Sequence, residues 1–80
     1  MIMDSIIKFD PNDWNTIRDT IDSIIQAGEM QYGRTEDNEP ISYDLSDDDT
    51  LHTTVIQNNG LVRENWYHVE DYTVEETYHK

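Results

Sequence analysis

The chain has 80 residues, a net charge of -13 and no cysteine. Its length supports one hydrophobic core, its charge repels phosphate and so disfavours direct contact with nucleic acid or an anionic membrane, and the missing thiols exclude a disulfide framework and a thiolate zinc site. A single soluble acidic domain over residues 1–80, folding in a reducing compartment such as the cytoplasm, is expected.

A domain of this size buries roughly 60% of the surface its unfolded chain exposes, so stability is modest and homodimerisation would add to it. High net charge with low hydropathy is the usual signature of disorder. Against that reading stand Trp14, Trp66, Phe9, five Tyr and many Ile and Val, all placed with periodicity. A folded domain is expected.

Met1 to Phe9 is a short apolar run interrupted by Asp4 and Lys8, unlike a signal peptide and too short to span a bilayer. Ile2, Ile6, Ile7 and Phe9 fit a short first strand or a helical turn equally well. Asp10-Pro11-Asn12-Asp13 reads as a helix start, with Asp10 as cap and Pro11 at the first helical position. Trp14, Ile17, Ile21, Ile24 and Ile25 then recur at three- and four-residue spacing, which predicts a helix from about Pro11 to Ala27 with one apolar stripe facing a sheet. Gly28 is its stop signal.

From Glu29 to Pro40 the pattern breaks around Gly33, Asn38 and Pro40, and a loop carrying Glu36, Asp37 and Glu39 is expected. Ile41, Tyr43 and Leu45 alternate with Ser42 and Asp44, the period of a half-buried strand. Ser46 to Asp49 should turn the chain. Leu51–Asn58 and Leu61–Val69 flank Asn59-Gly60, a strong hairpin signal. A two-residue turn there sets Val55 opposite Glu64, Thr53 opposite Trp66 and Leu51 opposite His68. Leu51, Val55, Val62 and Trp66 then share the face that meets the helix, while His52, Thr54, Ile56, Arg63, Asn65 and Tyr67 take the other. Glu64 breaks this pattern unless it lies at an edge. Glu70-Asp71 reads as the next turn, before a last strand in which Tyr72, Val74, Glu76 and Tyr78 alternate with Thr73, Glu75 and Thr77. The predicted fold class is α+β: one N-terminal helix packed on a three- to four-stranded antiparallel meander.

No catalytic or metal motif emerges. An EF-hand loop begun at Asp47 lacks an acidic or amide residue at Leu51, Gly at His52 and Glu at Asn58, and one begun at Asp44 fails at Asp49 and Val55. His52, His68 and His79, even with Glu70, lack zinc-ligand spacing, and His52 and His68 are expected on opposite faces. There is no phosphate-binding Gly loop, no Cys nucleophile and no Ser elbow, and so small a domain has little room for a pocket. No enzyme activity and no cofactor are expected.

The acidic pattern is the informative feature. Asp44, Asp47, Asp48 and Asp49 open a stretch that Glu70, Asp71, Glu75 and Glu76 close, Glu36, Asp37 and Glu39 precede it, and from Glu36 to Glu76 the only Lys or Arg is Arg63. Alternate residues of a strand lie about 6.6 Å apart, close to two nucleotide steps of about 3.4 Å each, so carboxylates on strands and turns can stand where phosphates would. Such a surface fits the Lys/Arg groove of a basic nucleic-acid-binding protein, with Tyr67 and Tyr72 as aromatic contacts among the acids.

In size, charge and α+β architecture the chain resembles the small acidic inhibitors encoded by phages and mobile elements, DNA mimics directed at CRISPR effectors, restriction enzymes or uracil-DNA glycosylase. That resemblance implies a stoichiometric inhibitor acting in a host cytoplasm, an anti-CRISPR protein first and an anti-restriction or repair-enzyme inhibitor second. Nuclease immunity proteins share the same electrostatics. An acidic surface also serves solubility in a salty cytoplasm, a reading that requires high salt for folding.

Overall fold

The computed structural model describes residues 9–46 and 50–80. Through them run α1 (Trp14–Ala27), β1 (Gln31–Arg34), β2 (Pro40–Leu45), β3 (Leu51–Ile56), β4 (Val62–His68) and β5 (Thr73–His79). The strands form one antiparallel sheet in the order β1-β2-β3-β4-β5. The α+β meander is as expected, but the sheet has five strands rather than three or four. The additional strand is β1, inside the stretch read as a loop. Gln31-Tyr32-Gly33-Arg34 has no strand-like alternation of its own, and its pairing with Pro40–Tyr43 supplies what local propensity does not. The Met1–Phe9 segment falls, apart from Phe9, outside the described residues.

The helix begins later than its composition suggests. Asp13, not Asp10, is the N-cap: its carboxylate accepts hydrogen bonds from the Asn15 N–H at 2.9 Å and the Thr16 hydroxyl at 3.1 Å. Asp10 closes the preceding turn instead, accepting from the Asn12 N–H on its side chain and from the Asp13 N–H on its carbonyl, with Pro11 inside that turn. Gly28 ends the helix in the left-handed region, φ 72°, and its N–H returns to the Ile24 carbonyl. Ile17, Thr20, Ile21 and Ile24 are the buried helical residues. Ile25 lies about 100° further round and is 55% exposed, so it leaves the stripe it was assigned to. Thr20 takes a core position because its hydroxyl bonds the Thr16 carbonyl at 2.9 Å.

The helix packs over β2 and β3, enclosing Ile17, Ile21, Ile24, Ile41, Tyr43, Leu51, Val55 and Tyr67, with Phe9, Trp14, Leu45 and Val69 at the margin. Each fully buried aliphatic side chain contributes about 1.5–3 kcal/mol. Phe9 meets Tyr43 and Tyr67 edge-on, with ring centroids 5.3 and 5.5 Å apart. Burial, with Tyr67 beside it, pushes the Tyr43 phenol up to about 12, so it stays neutral in the folded protein at any ordinary pH.

The β3–β4 hairpin departs from the expected register by one residue. Gln57 donates its N–H to the Leu61 carbonyl, Gly60 donates to the Gln57 carbonyl, and Gly60 has φ 90°. The loop is therefore the three residues Asn58-Asn59-Gly60, a turn closed by a left-handed glycine, and not a two-residue Asn-Gly turn. Asn59 helps by accepting the Leu61 N–H on its side chain at 3.0 Å. Leu51 now faces Tyr67, His52 faces Trp66, Thr53 faces Asn65, Thr54 faces Glu64 and Val55 faces Arg63. A one-residue slip exchanges the two faces of β4. Arg63, Asn65 and Tyr67 join Leu51, Thr53 and Val55 on the helix side, while Val62, Glu64 and Trp66 move to the outer face with His52, Thr54 and Ile56. Glu64 consequently fits a strand that is flanked on both sides, with no edge required. Gly60→Ala is expected to cost about 1–2 kcal/mol in urea unfolding, because an L side chain is strained at that φ.

Candidate interaction surface

One helix covers one face of the sheet, and no described residue covers the other. On that outer face Asp44, His52, Trp66 and Glu75 stand in register across four strands. His52 Nδ1 lies 2.7 Å from Asp44 Oδ1 and its Nε2 lies 2.8 Å from Glu64 Oε1, while the ring stacks on Trp66 at 4.9 Å. Carboxylate oxygens only accept, so both contacts are hydrogen bonds when the ring carries a proton on each nitrogen. Glu64 also bonds His79 through its second oxygen, and Glu75 bonds His68 Nε2 at 2.7 Å. All three histidines thus lie on one face, correcting the expectation that His52 and His68 point apart. Among the described residues no group of three or more potential ligands has metal-binding geometry.

The hydrogen bonds from His52 and then His79 hold the Glu64 carboxyl below its ordinary range, and those from Asn65 and then Tyr78 do the same for Glu76. A carboxyl depressed in the folded state stabilises the fold above its unfolded value, and that contribution disappears as pH falls through the folded value. Glu64→Gln should therefore lower the urea midpoint at about pH 7, and the difference from the wild type should shrink as pH falls through the folded value of Glu64.

The meander sorts the acids between two ends of the sheet. Asp44 and Glu75 lie near the end at which the chain passes from β2 to β3 and from β4 to β5, and Glu70 and Asp71 form the second of those turns. Ser46 and Thr50 close the first turn through the Ser46 N–H and the Thr50 carbonyl. Asp47, Asp48 and Asp49, the most prominent acids of the sequence, lie outside the described residues. Three strand spacings, about 14 Å, separate Asp44 from Glu75. Glu70 and Asp71 are exposed, and Asp44 keeps 43% of its side-chain surface. Glu76 points to the helix side, where it accepts from Asn65 and Tyr78 at 2.7 Å each.

Glu36, Asp37 and Glu39 belong to the opposite end, in the β1–β2 connection. Glu39 is structural there: its carboxylate accepts the Asn58 N–H at 2.9 Å and ties that connection to the β3–β4 hairpin. The fold therefore joins Asp44, Glu70, Asp71 and Glu75 and separates them from the loop acids.

Of the two tyrosines expected at the surface, Tyr67 is 4% exposed and belongs to the core. The register shift that brought Trp66 out took Tyr67 in. Tyr72 is 58% exposed, with its hydroxyl accepting from Arg18 at 3.0 Å and its ring edge-on to Trp14 at 5.4 Å. Its φ of 55° is strained for a bulky residue. Glu64 and Trp66 were missed as surface residues, and the signal that could have found them is Gly60 read as the left-handed end of a longer loop.

Size did not preclude a cleft. A cavity of about 750 Å³ opens on the helix side beside Phe9, Arg34, Tyr43 and Arg63, and among the described residues its lining includes no Ser, Cys or His. No helix of the described residues is long and apolar enough to cross a membrane. Comparison with family models, curated proteins and solved structures finds no match to the chain.

Proposed function

We propose that the protein is a stoichiometric inhibitor that presents an acidic, nucleic-acid-mimicking surface to the basic groove of a nucleic-acid-binding defence complex, a CRISPR effector first and a restriction or DNA-repair enzyme second. The observation that carries this reading is the gathering of Asp44, Glu70, Asp71 and Glu75 at one end of a folded sheet, in a chain of net charge -13. Strands and short turns limit the spread of these carboxylates, so less freedom is lost when they dock than in an acidic tail. The exposed Tyr72 next to Glu70 and Asp71 adds an aromatic contact at low entropic cost. In this role the protein needs neither catalysis nor a cofactor.

The test is competition. The purified protein should displace target DNA from such a complex at one-to-one stoichiometry, with affinity dropping steeply as ionic strength rises. Changing Asp47, Asp48 and Asp49 together to Asn should weaken it. Failure to displace DNA from any effector, restriction or repair enzyme would sink the proposal. Binding that tolerates loss of the acids but not Tyr72→Ala would instead indicate an immunity-type module recognised by shape.

A further inference from the structure

We infer that β5 is an open docking edge that takes up an extended, Lys/Arg-bearing segment of the partner as a sixth strand. The inference rests on the basic-partner reading above and adds to it the means of attachment.

Three independent features of the edge point this way. First, β5 is the terminal strand of the sheet, and no described strand pairs with its far side. It runs for seven residues, all exposed, so it offers an unpaired row of backbone donors and acceptors about 23 Å long. Among the usual protections of an edge, a proline, a bulge and a lysine are absent from Thr73–His79, and the charges it carries are the two carboxylates of Glu75 and Glu76, which deter an acidic neighbour and not a basic one. The opposite edge, β1, has only four residues.

Second, the helix is centred on β2 and β3, so β5 overhangs the core. Val74 and Tyr78 sit on the helix side of β5 and remain 45% and 52% exposed, with Tyr72 in the turn before them at 58%. An added strand would bring side chains over this rim and cover it.

Third, the charge of the edge selects its occupant. Glu75 projects to the outer face and Glu76 to the helix side, so a neighbouring strand meets a carboxylate whichever way its side chains point. Lys or Arg opposite them is favoured, and like charges are disfavoured. A second copy of this chain fits poorly. The antiparallel register that pairs all seven residues sets Glu76 against its own copy, and each copy carries a net charge of -13.

The experiment titrates the full chain with a capped seven-residue peptide, Lys-Val-Lys-Thr-Lys-Val-Lys, at millimolar concentration and follows amide hydrogen exchange by NMR. A second peptide of the same sequence is N-methylated at every residue, which keeps the charges and removes every backbone donor. Slowing of β5 amide exchange by about tenfold or more with the first peptide and not the second is the expected result. Glu75→Lys should weaken the first peptide about fivefold. Equal binding of the two peptides, or protection located away from β5, overturns strand addition while leaving the basic-partner reading intact. No binding by either peptide overturns the inference, and that reading falls with it only if nucleic acid is not displaced either. Protection of β5 that depends on protein concentration alone, with a dimer in sedimentation, overturns it in favour of a second copy.

Discussion

Leu51→Ala is expected to remove about 2–5 kcal/mol of stability, against about 1 kcal/mol for Trp66→Ala. Leu51 is fully buried, between the helix and Tyr67 on the neighbouring strand, where a truncated side chain leaves a cavity. A chain of this length has about 4–12 kcal/mol in total, so the Leu51 variant should be near the threshold of folding. Trp66 is much the larger side chain, yet it lies on the uncovered face, where it stacks on His52. Urea unfolding of the two variants therefore tests the hairpin register directly. Under a two-residue Asn59-Gly60 turn both side chains would be core residues, and a Trp66→Ala loss equal to that of Leu51→Ala would restore that register.

The combined change Asp44→Asn, Glu70→Gln, Asp71→Asn and Glu75→Gln is expected to slow association with the basic partner by about 10- to 1,000-fold, with the smaller effect at high salt. These side chains are exposed or half-exposed, and the amide oxygens can still accept from His52 and His68, so the fold should persist. The control pair Glu36→Gln and Asp37→Asn acts at the far end of the sheet and should slow association far less. Glu39 is left in place because it holds the Asn58 N–H. Stopped-flow association at low and high salt measures both sets. Equal slowing per carboxylate removed in the two sets would mean that net charge, and not the end of the sheet, steers the encounter.

The sequence by itself determined the helix face apart from Ile25, the alternation of β2 and the apolar residues that meet in the core from those two elements. Ile17, Ile21 and Ile24 repeat at helical spacing, Ile41 and Tyr43 alternate as strand residues, and Gly28 can take the left-handed conformation that ends a helix, so local pattern suffices for each. Which acids belong together was not legible, since Asp44 and Glu75 are 31 positions apart and become the two ends of one row only through four paired strands. The tertiary structure also recruited β1 and set the β3–β4 register, because strand pairing is a non-local interaction and a shift of one residue exchanges the faces of a strand. That shift explains why Tyr67 was expected at the surface and Trp66 in the core. Charge and composition are properties of the chain, but the face on which a carboxylate stands is decided by backbone hydrogen bonds to a different strand.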